Sequence, residues 1–493
     1  MRLDKEKILA LQNATELLKE RPDDLRRLKL VGSIADELGV ECYVVGGYVR
    51  DLLLDIDNCD YDFVVVGRGI DVAKLLADKT GGKLSIYESY GTASVMVTEK
   101  ETGEQVEFEF VGARKEFYHR ESRNPIVEDG TLEDDINRRD LTINAMAITV
   151  TAVAFGDIID VHGGKKDLMS GIIRTVGVPE DRFNEDPLRI MRAARFASKL
   201  GFDIEPATLK AMKSLAHRLD IITRERITEE VNKILLSRRP SIGFTKLQEC
   251  GVLDYAVPGL EALTIQHYAE FTSHKNIFYH TMVVLDHMAE HNPTLANLWA
   301  ALLHDIAKPA CCAYDYNEHK WTFYMHEHYG AEMAEDICTQ CMLSKADIKH
   351  IKKLIEFHMV PAQLSDENVS DKAIRRFMYL AGDEVDDIIL LSDCDMSTAH
   401  PEKIARYLEN NMRLRLRIRT IEMQDSLAKF KLAIDGNDIS ERCHIPMGRM
   451  IGKIKSYLEG IVVDGEIPNS RDVLLGLLDT YHDGSINGVQ LEQ

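Results

Sequence analysis

Two aspartates separated by one residue, Asp60 and Asp62, could hold a divalent cation. They precede the apolar run Phe63 to Val66, whose β-branched composition is typical of a buried strand. Alternate residues of a strand face the same side, so both carboxylates would project together from the start of that strand. Two carboxylates in this position repel each other unless a cation lies between them, and Mg²⁺ prefers oxygen ligands. The pair therefore predicts a magnesium site.

A phosphate-binding element comes just before these aspartates, in the stretch GGYVRD that follows the apolar run Tyr43 to Val45. Gly46 and Gly47 allow the backbone to approach a phosphate closely, and the guanidinium of Arg50 could bind that phosphate. Combined with the aspartates, this stretch indicates metal-dependent phosphoryl transfer on a nucleotide.

A site that holds two metals needs a third carboxylate. Polar and apolar residues alternate in the stretch VEFEF, residues 106–110, so Glu107 and Glu109 would share one face of a strand. Either glutamate could complete the site. In two-metal catalysis one ion lowers the pKa of the attacking hydroxyl, while the other steadies the triphosphate and the leaving pyrophosphate.

The stretch RRDLTINA contains a second cluster of polar residues. Adjacent arginines such as Arg138 and Arg139 suit a triphosphate, whose charge needs several forked donors. Asp140 or Asn144 could hydrogen-bond the ribose hydroxyls, which would favour ribonucleotides. Alone, RRD is typical of a surface charge cluster, and its meaning here depends on the neighbouring motifs.

The stretch EDPLRIMRAARF, which begins at Glu185, combines acidic and basic residues at helical spacing. Asp186 and Arg189 are three residues apart, which makes them neighbours on a helix surface. Such a pair can bind a base, since Asp accepts from an exocyclic amino group while Arg donates to the adjacent ring nitrogen. Cytosine and adenine carry that amine, whereas uracil and guanine present a carbonyl. The pair therefore predicts acceptance of CTP and ATP; an ordinary i, i+3 salt bridge is the alternative.

Composition and charge restrict the class of protein. The chain has 493 residues, 45% of them hydrophobic, and its net charge of −21 argues against a surface coated for nonspecific nucleic-acid binding. The stretch from Arg182 to Arg239 differs, with 13 basic against 8 acidic residues, and is the predicted nucleic-acid face. No apolar run reaches the roughly 18 residues of a membrane helix. The nine cysteines form no disulfide pattern, so we expect a cytoplasmic protein without a membrane segment.

The spacing of apolar residues predicts an α+β fold with a small mixed sheet. A helix is expected near Ile70–Lys79. The expected strands that follow it lie near Lys83–Tyr87, Ala93–Thr98 and Gln105–Val111. The polar stretch 112–134 is expected to be a mobile loop, and from about Asp181 onward the chain should be helical almost throughout.

In their order and spacing, GGYVRD, the DYD pair, RRDLTINA and EDPLRIMRAARF resemble the motifs of bacterial tRNA nucleotidyltransferases. These CCA-adding enzymes belong to the DNA polymerase β superfamily, in the branch that includes bacterial poly(A) polymerases. The resemblance is dense over roughly residues 25–265 and continues more loosely to about 470. One departure is the turn from Asp160 to Gly164, which reads DVHGG where the family usually has DPFGG.

The resemblance implies a role for each matching residue. Asp60 and Asp62 match the metal-binding carboxylates of the family, and the distance along the chain to Arg114 favours Glu109 over Glu107 as the third. Asp186 and Arg189 match the protein template that selects the base. The other nucleotide contacts, implied by the resemblance or suggested by the clusters above, are Gly46, Gly47, Arg50, Arg138, Arg139, Asp140, Asn144, Arg192 and Arg195.

A histidine-rich region is a second, separable signal, since 11 of the 17 histidines lie between His267 and His358. The residues that match the H…HD…D order of HD-domain proteins are His280, His304, Asp305 and Asp393. The resemblance implies that they bind a metal, and His326 and His358 are additional imidazoles nearby in sequence. Histidine with a bridging aspartate suits Mn²⁺, Ni²⁺, Fe²⁺ or Mg²⁺, and a metal-activated water could attack a phosphoester.

The expected organisation is a nucleotidyltransferase head with a small mixed sheet, followed by mostly α-helical segments. The boundaries are 1–26 for an N-terminal helix, 27–160 for the head, 161–225 for a base-selecting neck, 226–265 for an RNA-binding body, 266–400 for an HD domain and 401–493 for a helical tail.

The resemblance implies addition of C, C and A to the 3′ end of tRNA from CTP and ATP, with Mg²⁺ and with release of pyrophosphate. Within the same class, a CC-adding, A-adding or poly(A)-adding enzyme remains open. From other classes, the chain could be an HD-domain phosphohydrolase with a nucleotide-sensing head, or a non-catalytic RNA-binding protein. The presence of Asp60, Asp62 and the template pair argues against both. The sequence does not specify an oligomeric state.

Overall fold

The computed structural model describes residues 5–88, 91–99, 103–117, 126–265, 276–365, 369–396, 401–425, 431–486 and 488–491. The chain divides into two compact units, residues 1–258 and residues 259–493.

The first unit starts with helices and then forms the sheet. Its elements up to residue 159 are α1 (Lys5–Ala10), α2 (Thr15–Lys19), α3 (Pro22–Leu38), β1 (Glu41–Val45), α4 (Gly47–Leu53), β2 (Asp60–Val66), α5 (Gly69–Thr80), β3 (Lys83–Tyr87), β4 (Thr92–Thr98), β5 (Gln105–Gly112), β6 (Arg114–Phe117), β7 (Ile126–Asp129), α6 (Leu132–Asn137), β8 (Ala147–Thr149) and β9 (Ile158–Ile159). The segment expected as one N-terminal helix over 1–26 therefore contains α1, α2 and the start of α3. Pro22 begins α3 because its fixed φ suits a first helical turn.

Seven strands form one mixed sheet in the order β3-β4-β5-β2-β1-β8-β9. Strands β2 and β5 run parallel, whereas the other neighbours are antiparallel. The segment α5-β3-β4 supplies the crossover that a parallel pair needs. The α+β class, the helix near residues 70–79 and the three strands after it are confirmed.

The two faces of β2 and β5 have different composition. On one face the buried rings of Tyr61 and Phe108 stack with centroids 5.4 Å apart, and those of Phe63 and Phe110 at 5.1 Å. Helices α3 and α5 pack on each other, and α5 packs on β4 and β5. Because strand residues alternate, the residues between these aromatics project to the opposite face. That face carries the acidic residues of both strands.

Part of the stretch 112–134 is not the expected loop. Strands β6 and β7 pair as an antiparallel hairpin, with Arg114 opposite Asp129. Charged side chains can remain in water while the backbone pairs, so a polar stretch does not exclude a strand. Residues 118–125 of the expected loop lie outside the described residues.

The rest of the first unit is mostly helical, which confirms the expectation from Asp181 onward. Its elements are α7 (Gly164–Ser170), β10 (Ile172–Ile173), α8 (Pro179–Glu185), α9 (Leu188–Leu200), β11 (Asp203–Ile204), α10 (Pro206–Leu215), α11 (Arg224–Leu235), α12 (Pro240–Glu249) and α13 (Leu253–Ala256). Helix α9 packs against α11 and α12. The unexpected DVHGG turn precedes α7, where Asp160 accepts hydrogen bonds from the backbone of Gly164 (2.6 Å) and Lys165 (3.0 Å).

The second unit is mostly helical, and its described residues include two short antiparallel strand pairs. Its elements are α14 (Ile277–Ala289), α15 (Leu295–Leu303), β12 (Ala313–Asp315), β13 (Lys320–Thr322), α16 (His326–Gln340), α17 (Lys345–Phe357), α18 (Val360–Leu364), α19 (Asp371–Ala381), α20 (Val385–Asp395), α21 (Pro401–Asp425), α22 (Gly436–Cys443), α23 (Arg449–Val463), α24 (Arg471–Leu478), β14 (Ser485–Ile486) and β15 (Val489–Gln490). Cys338 and Cys341 are buried, and all nine cysteines of the chain are free. Within the described ranges, no helix is both long and apolar enough to cross a membrane.

Candidate active site and metal centre

Carboxylates meet on one face of the sheet, across β2 and β5. In the parallel register of these strands, Asp60 lies opposite Glu107 and Asp62 lies opposite Glu109. Burial, then the charges of Asp60 and Glu109, raise the pKa of Asp62 to about 7. Burial, then Glu107 and Asp60, also raise the pKa of Glu109. Carboxyl groups that oppose each other's ionisation in this way form a place where a cation binds favourably.

The donor chemistry fits the expected magnesium site. All the groups are carboxylate oxygens, which Mg²⁺ prefers, and they come from adjacent strands of one sheet. Glu109 acts on the ionisation of Asp62, whereas Glu107 is not among the groups that shift it. This difference supports Glu109 as the third carboxylate.

Gly46 brings the backbone close to these carboxylates. It has a φ of +69°, which favours glycine, and a Cβ atom there would lie 3.1 Å from Nη1 of Arg139 and 3.9 Å from Oδ2 of Asp62. The turn that starts α4 is therefore held between a guanidinium and a carboxylate. A larger residue would fill the space between these two side chains.

Arg138 and Arg139 are held by one buried carboxylate that the sequence analysis did not identify. Asp135 is fully buried and accepts from Nε of Arg138 (3.0 Å) and from Nε of Arg139 (3.0 Å). Arg139 also donates to the backbone carbonyl of Asn144 at 3.3 Å. Asp135 lies three residues before Arg138 and four before Arg139, and this helical spacing is the sequence signal that could have identified it. The clamp fixes both guanidinium groups before any ligand arrives.

The Arg50 side chain is buried and bonds to other side chains of the protein. Its guanidinium donates to both oxygens of Asp51 (2.7 and 2.8 Å) and to Oδ1 of Asn144 (2.6 Å), and it is buried. It joins α4 to the segment after α6. The side-chain oxygen of Asn144, which was expected to contact the ribose, accepts a hydrogen bond from Arg50 instead.

Asp140, the other expected ribose contact, lies opposite Arg192. Its Oδ2 accepts from Nε of Arg192 at 2.7 Å, and its Oδ1 accepts from the backbone of Leu141 at 2.8 Å. Burial alone would raise the pKa of Asp140, but Arg192 and then Arg189 outweigh it, so the pKa lies below its usual range. The pair ties the RRD segment to α9.

Asp186 and Arg189 do not form the simple salt bridge considered from the sequence. Asp186 follows α8 and caps the start of α9, since its Oδ1 accepts from the backbone of Leu188 at 3.1 Å. Arg189 instead donates to Glu185 (2.8 Å) and to the carbonyl of Arg138 (2.9 Å). Both side chains are thus fixed by other groups and are not paired with each other.

Arg195 pairs with Glu230 of α11, with Nε 2.6 Å from a carboxylate oxygen. Phe196 lies beneath three guanidinium groups: Arg195 at 4.2 Å, Arg50 at 5.1 Å and Arg192 at 5.8 Å from the ring centroid. Cations favour the face of an aromatic ring. Phe196 was not singled out from the sequence, because its position in α9 also fits an ordinary core residue.

One cleft of about 880 Å³ brings nearly all of these residues together. The expected residues that line it are Gly46, Gly47, Arg50, Asp60, Asp62, Arg138, Arg139, Asp140, Asn144, Asp186, Arg189, Arg192 and Arg195. Lys199, Arg226 and Lys233 also line it and were missed individually, although they belong to the basic stretch. Its volume is that of a small-molecule site, and both acidic and basic groups line it.

The second unit contains a separate cluster of imidazoles and carboxylates. His280 and Asp395 are 2.8 Å apart (Nε2 to Oδ1), and Nε2 of His304 lies 3.3 Å from Asp305 and 3.4 Å from Asp395. His326 approaches the other oxygen of Asp305 at 3.6 Å. Asp305 therefore lies between two sets of possible ligands.

Asp393, the aspartate predicted as a ligand, does not lie with the imidazoles, and Asp395 lies there instead. Asp393 accepts from Asn411 at 2.6 Å and pairs with Arg415 at 2.7 Å, so it ties α20 to α21. Residues at positions i and i+2 of a helix point about 200° apart around its axis, so these two aspartates face opposite sides of α20. The H…HD…D order alone could not distinguish them in the stretch DCD.

The imidazoles are oriented as metal ligands. Nδ1 of His304, His326 and His358 contacts the backbone carbonyls of Ala301 (2.8 Å), Phe323 (2.8 Å) and Ile355 (2.6 Å). Their Nε2 atoms are buried and have no hydrogen-bonding partner among the described residues. Such bonds at Nδ1 direct Nε2 at a metal.

Two groups of possible ligands share Asp305, and within each group the ligand atoms all lie within 4.8 Å of one another. The first group is His280, His304 and Asp305, and the second is Asp305, His326 and His358. Burial, then His304, lower the pKa of His358 to about 4, which keeps its imidazole neutral. The donor set fits a divalent transition metal.

Three family models match the chain. A "Poly A polymerase head domain" model matches residues 42–174, a "Probable RNA and SrmB- binding site of polymerase A" model matches 201–264, and an "HD domain" model matches 277–396.

Curated relatives and solved structures agree with these matches. An "A-adding tRNA nucleotidyltransferase" of Deinococcus radiodurans is 31% identical over 366 residues, 72% of this chain and 76% of the relative. A "Multifunctional CCA protein" of Chromobacterium violaceum is 32% identical over 380 residues, 75% of this chain and 83% of the relative. A solved "tRNA nucleotidyltransferase complexed with a primer tRNA and an incoming ATP analog" is similar with a TM-score of 0.56 and 27% identity, over 78% of this chain and 99% of that chain.

The corrected ligand set predicts different metal contents for two neighbouring substitutions. Asp395→Asn removes a carboxylate that contacts His280 and His304, so we expect the second unit to lose most of its bound metal, as in His304→Ala. Asp393→Asn alters only the contacts to Asn411 and Arg415 and should retain it. Metal analysis of the purified proteins by mass spectrometry distinguishes them. Equal metal content in all three variants and the unchanged protein would reject the assignment.

Proposed function

Because the chain belongs to the tRNA nucleotidyltransferase and poly(A) polymerase family, we propose that it adds CCA to the 3′ end of tRNA from CTP and ATP, without a nucleic-acid template. The observation that carries this proposal is one cleft, lined by the carboxylates of Asp60 and Asp62, by Arg138 and Arg139, which Asp135 holds, and by Asp186 and Arg189. An acceptor hydroxyl, a triphosphate and a base each need one of these three groups.

Asp60, Asp62 and Glu109 would hold the metal ions. Two bound Mg²⁺ ions would supply a lower pKa for the attacking 3′-hydroxyl and would neutralise the triphosphate and the leaving pyrophosphate. The pKa of Asp62, about 7 without a cation, means that metal binding displaces a proton from this group near neutral pH. The identity of the metal as Mg²⁺ rests on the all-oxygen donor set.

The arginines that line the cleft would orient the triphosphate. Asp135 holds Arg138 and Arg139 in place, so their remaining N–H groups are directed before the nucleotide binds. A site organised in advance does not have to reorganise during the reaction. The absence of a side chain at Gly46 leaves room for a phosphate to approach Arg139.

Asp186 and Arg189 would select the base. Oδ1 of Asp186 accepts a hydrogen bond from the backbone N–H of Leu188. Oδ2 accepts none from the described residues, so it can accept from an exocyclic amino group. Glu185 and the carbonyl of Arg138 orient Arg189, which can donate to the adjacent ring nitrogen. Cytosine and adenine match this arrangement, and uracil and guanine do not.

The acceptor would be tRNA, held by the basic stretch from Arg182 to Arg239 and by the segment that matches the RNA-binding model. Contacts of this kind read backbone and shape, and binding should weaken as salt rises. The relatives include both A-adding and CCA proteins, so CC-only, A-only and poly(A) addition are the alternatives within the family. An enzyme that acts on tRNA would work in the cytoplasm.

A second activity, metal-dependent phosphoester hydrolysis, is favoured by the cluster in the second unit. Its Nε2 atoms converge on Asp305, and a metal held there would supply an activated water. Mn²⁺, Ni²⁺ and Fe²⁺ suit a mixed imidazole and carboxylate set better than Mg²⁺ does. This activity would be independent of the cleft in the first unit.

Removal of a cleft carboxylate should abolish nucleotide addition without preventing tRNA binding. We expect Asp60→Ala to lower single-turnover incorporation of labelled CTP by about 10³-fold or more, since it removes several kcal/mol of charge stabilisation. Glu109→Gln should also lower it strongly, and Glu107→Gln, the matched control on the same strand face, should have a much smaller effect. Filter binding checks that tRNA affinity is unchanged. Equal losses in both glutamate variants would contradict the choice of Glu109.

Removal of the base-reading carboxylate should change selectivity more than rate. We expect Asp186→Ala to reduce the preference for CTP over UTP by about 10- to 100-fold, the discrimination of one good base contact. The ratio of kcat/KM values for the two nucleotides is the measurement. Asp181→Ala, at an exposed acidic position of α8, is the control and should leave the ratio unchanged. An unchanged ratio in Asp186→Ala would argue against base reading by this residue.

A further inference from the structure

Helix α3 carries two buried charged residues on the side of the sheet away from the cleft. Asp24 and Arg27 are only 8% and 5% exposed. Neither lies in the cleft, and both precede the segment that matches the head-domain model. Burying charge is costly, so such residues need partners that repay the loss of hydration.

Asp24 joins the two elements that carry the first motifs of the site. One of its oxygens accepts from the hydroxyl of Tyr61, and the other accepts from the hydroxyl of Tyr48 at 3.0 Å. Tyr61 lies between Asp60 and Asp62 in β2, with its side chain on the opposite face. Tyr48 lies in α4, directly after the two glycines. One carboxylate therefore holds both the metal-binding strand and the glycine turn.

Arg27 extends these contacts to the third carboxylate's strand. Its Nη1 donates to the hydroxyl of Tyr61 at 3.1 Å, its Nε to Glu99 at 2.9 Å and its Nη2 to Glu104 at 3.1 Å. Glu99 follows β4 and Glu104 precedes β5, and their backbones are bonded at 2.8 Å. These contacts fix the beginning of β5 at Gln105, four residues before Glu109.

The aromatic rings transmit this constraint across the sheet. Tyr61 is in register with Phe108, and their rings stack at 5.4 Å, while the ring of Tyr48 lies 5.1 Å from that of Tyr61. Phe108 lies between Glu107 and Glu109, as Tyr61 lies between the aspartates. A shift of either ring would move the carboxylates on the other face of the same strand.

We propose that Asp24 and Arg27 of α3, acting through the hydroxyl of Tyr61, position the three metal-binding carboxylates relative to the glycine turn. The proposal rests on the proposed function, since it assigns a role within that site. These are positioning residues: they contact neither substrate nor metal. A misplacement of about 1 Å costs about 100-fold in rate, so a hydrogen bond behind the sheet can matter to the chemistry.

Tyr61→Phe tests the proposal with the least disturbance, because it removes one hydroxyl and keeps the ring. Asp24→Asn tests the carboxylate itself. Tyr43→Phe is the matched control: the hydroxyl of Tyr43, in the neighbouring strand β1, bonds Glu41 at 2.8 Å outside this network. Glu104→Gln, at the exposed end of the network, keeps the test open where the buried variants fold poorly.

Three properties of each folded variant are measured below its melting temperature: the steady-state constants for CTP, the half-saturating Mg²⁺ concentration, and Mn²⁺ binding followed by electron paramagnetic resonance. The Mn²⁺ titration is done in a His304→Ala background to weaken the other metal cluster. For Tyr61→Phe we expect kcat to fall about 10- to 100-fold, KM for CTP to change less than about twofold, and Mg²⁺ and Mn²⁺ affinities to fall about tenfold. Glu104→Gln should show a smaller change in the same direction.

A lower melting temperature with unchanged kcat and metal affinity would show that the network only stabilises the fold, and would overturn the proposal. So would changes no larger than those of Tyr43→Phe. If the unsubstituted protein adds no nucleotide to tRNA, the proposed function fails, and the Mn²⁺ titration still decides whether the network positions the carboxylates.

Discussion

Repulsion among the carboxylates of β2 and β5 is the constraint on which the first unit depends. Asp60, Asp62 and Glu109 share one sheet face, where Asp60 and Glu109 oppose the ionisation of Asp62 and raise its pKa. A flexible loop would let them separate, whereas paired strands do not. The stacked rings on the opposite face and the crossover through α5 make the β2–β5 pair rigid. The repulsion that remains is relieved by a cation, so the fold holds a site that is most stable when metal is bound.

Several arginines of the cleft are held in place by carboxylates of the protein. Asp135 holds Arg138 and Arg139, Asp140 holds Arg192, and Glu230 holds Arg195. Long cationic side chains lose considerable conformational entropy when a ligand fixes them. Here folding has already fixed them, so the nucleotide does not have to.

The sequence was sufficient for the residues whose chemistry follows from local spacing. The alternation of residues predicted that Asp60 and Asp62 share one face of β2 and that Glu107 and Glu109 share one face of β5, and the parallel register places Glu109 opposite Asp62. Asp60 and Asp62 line the cleft together with the residues of the other motifs. Asp24, Asp135 and Phe196 were missed because their partners are set by tertiary contacts or by helix direction. Asp393 was chosen over Asp395 because only the rotation of α20 separates them. Charged residues in β6 and β7 concealed a hairpin whose pairing depends on the backbone.

Selection of the base by side chains, without a nucleic-acid template, is the central claim. The most direct measurement offers the purified protein each nucleoside triphosphate separately, with tRNA transcripts that end before the first C or after CC. We predict that CTP is incorporated on the first transcript and ATP on the second, with UTP and GTP at least about 100-fold slower on both, because both carry a carbonyl at the position where Asp186 would accept from an amino group. Incorporation of UTP or GTP as readily as CTP would contradict the claim.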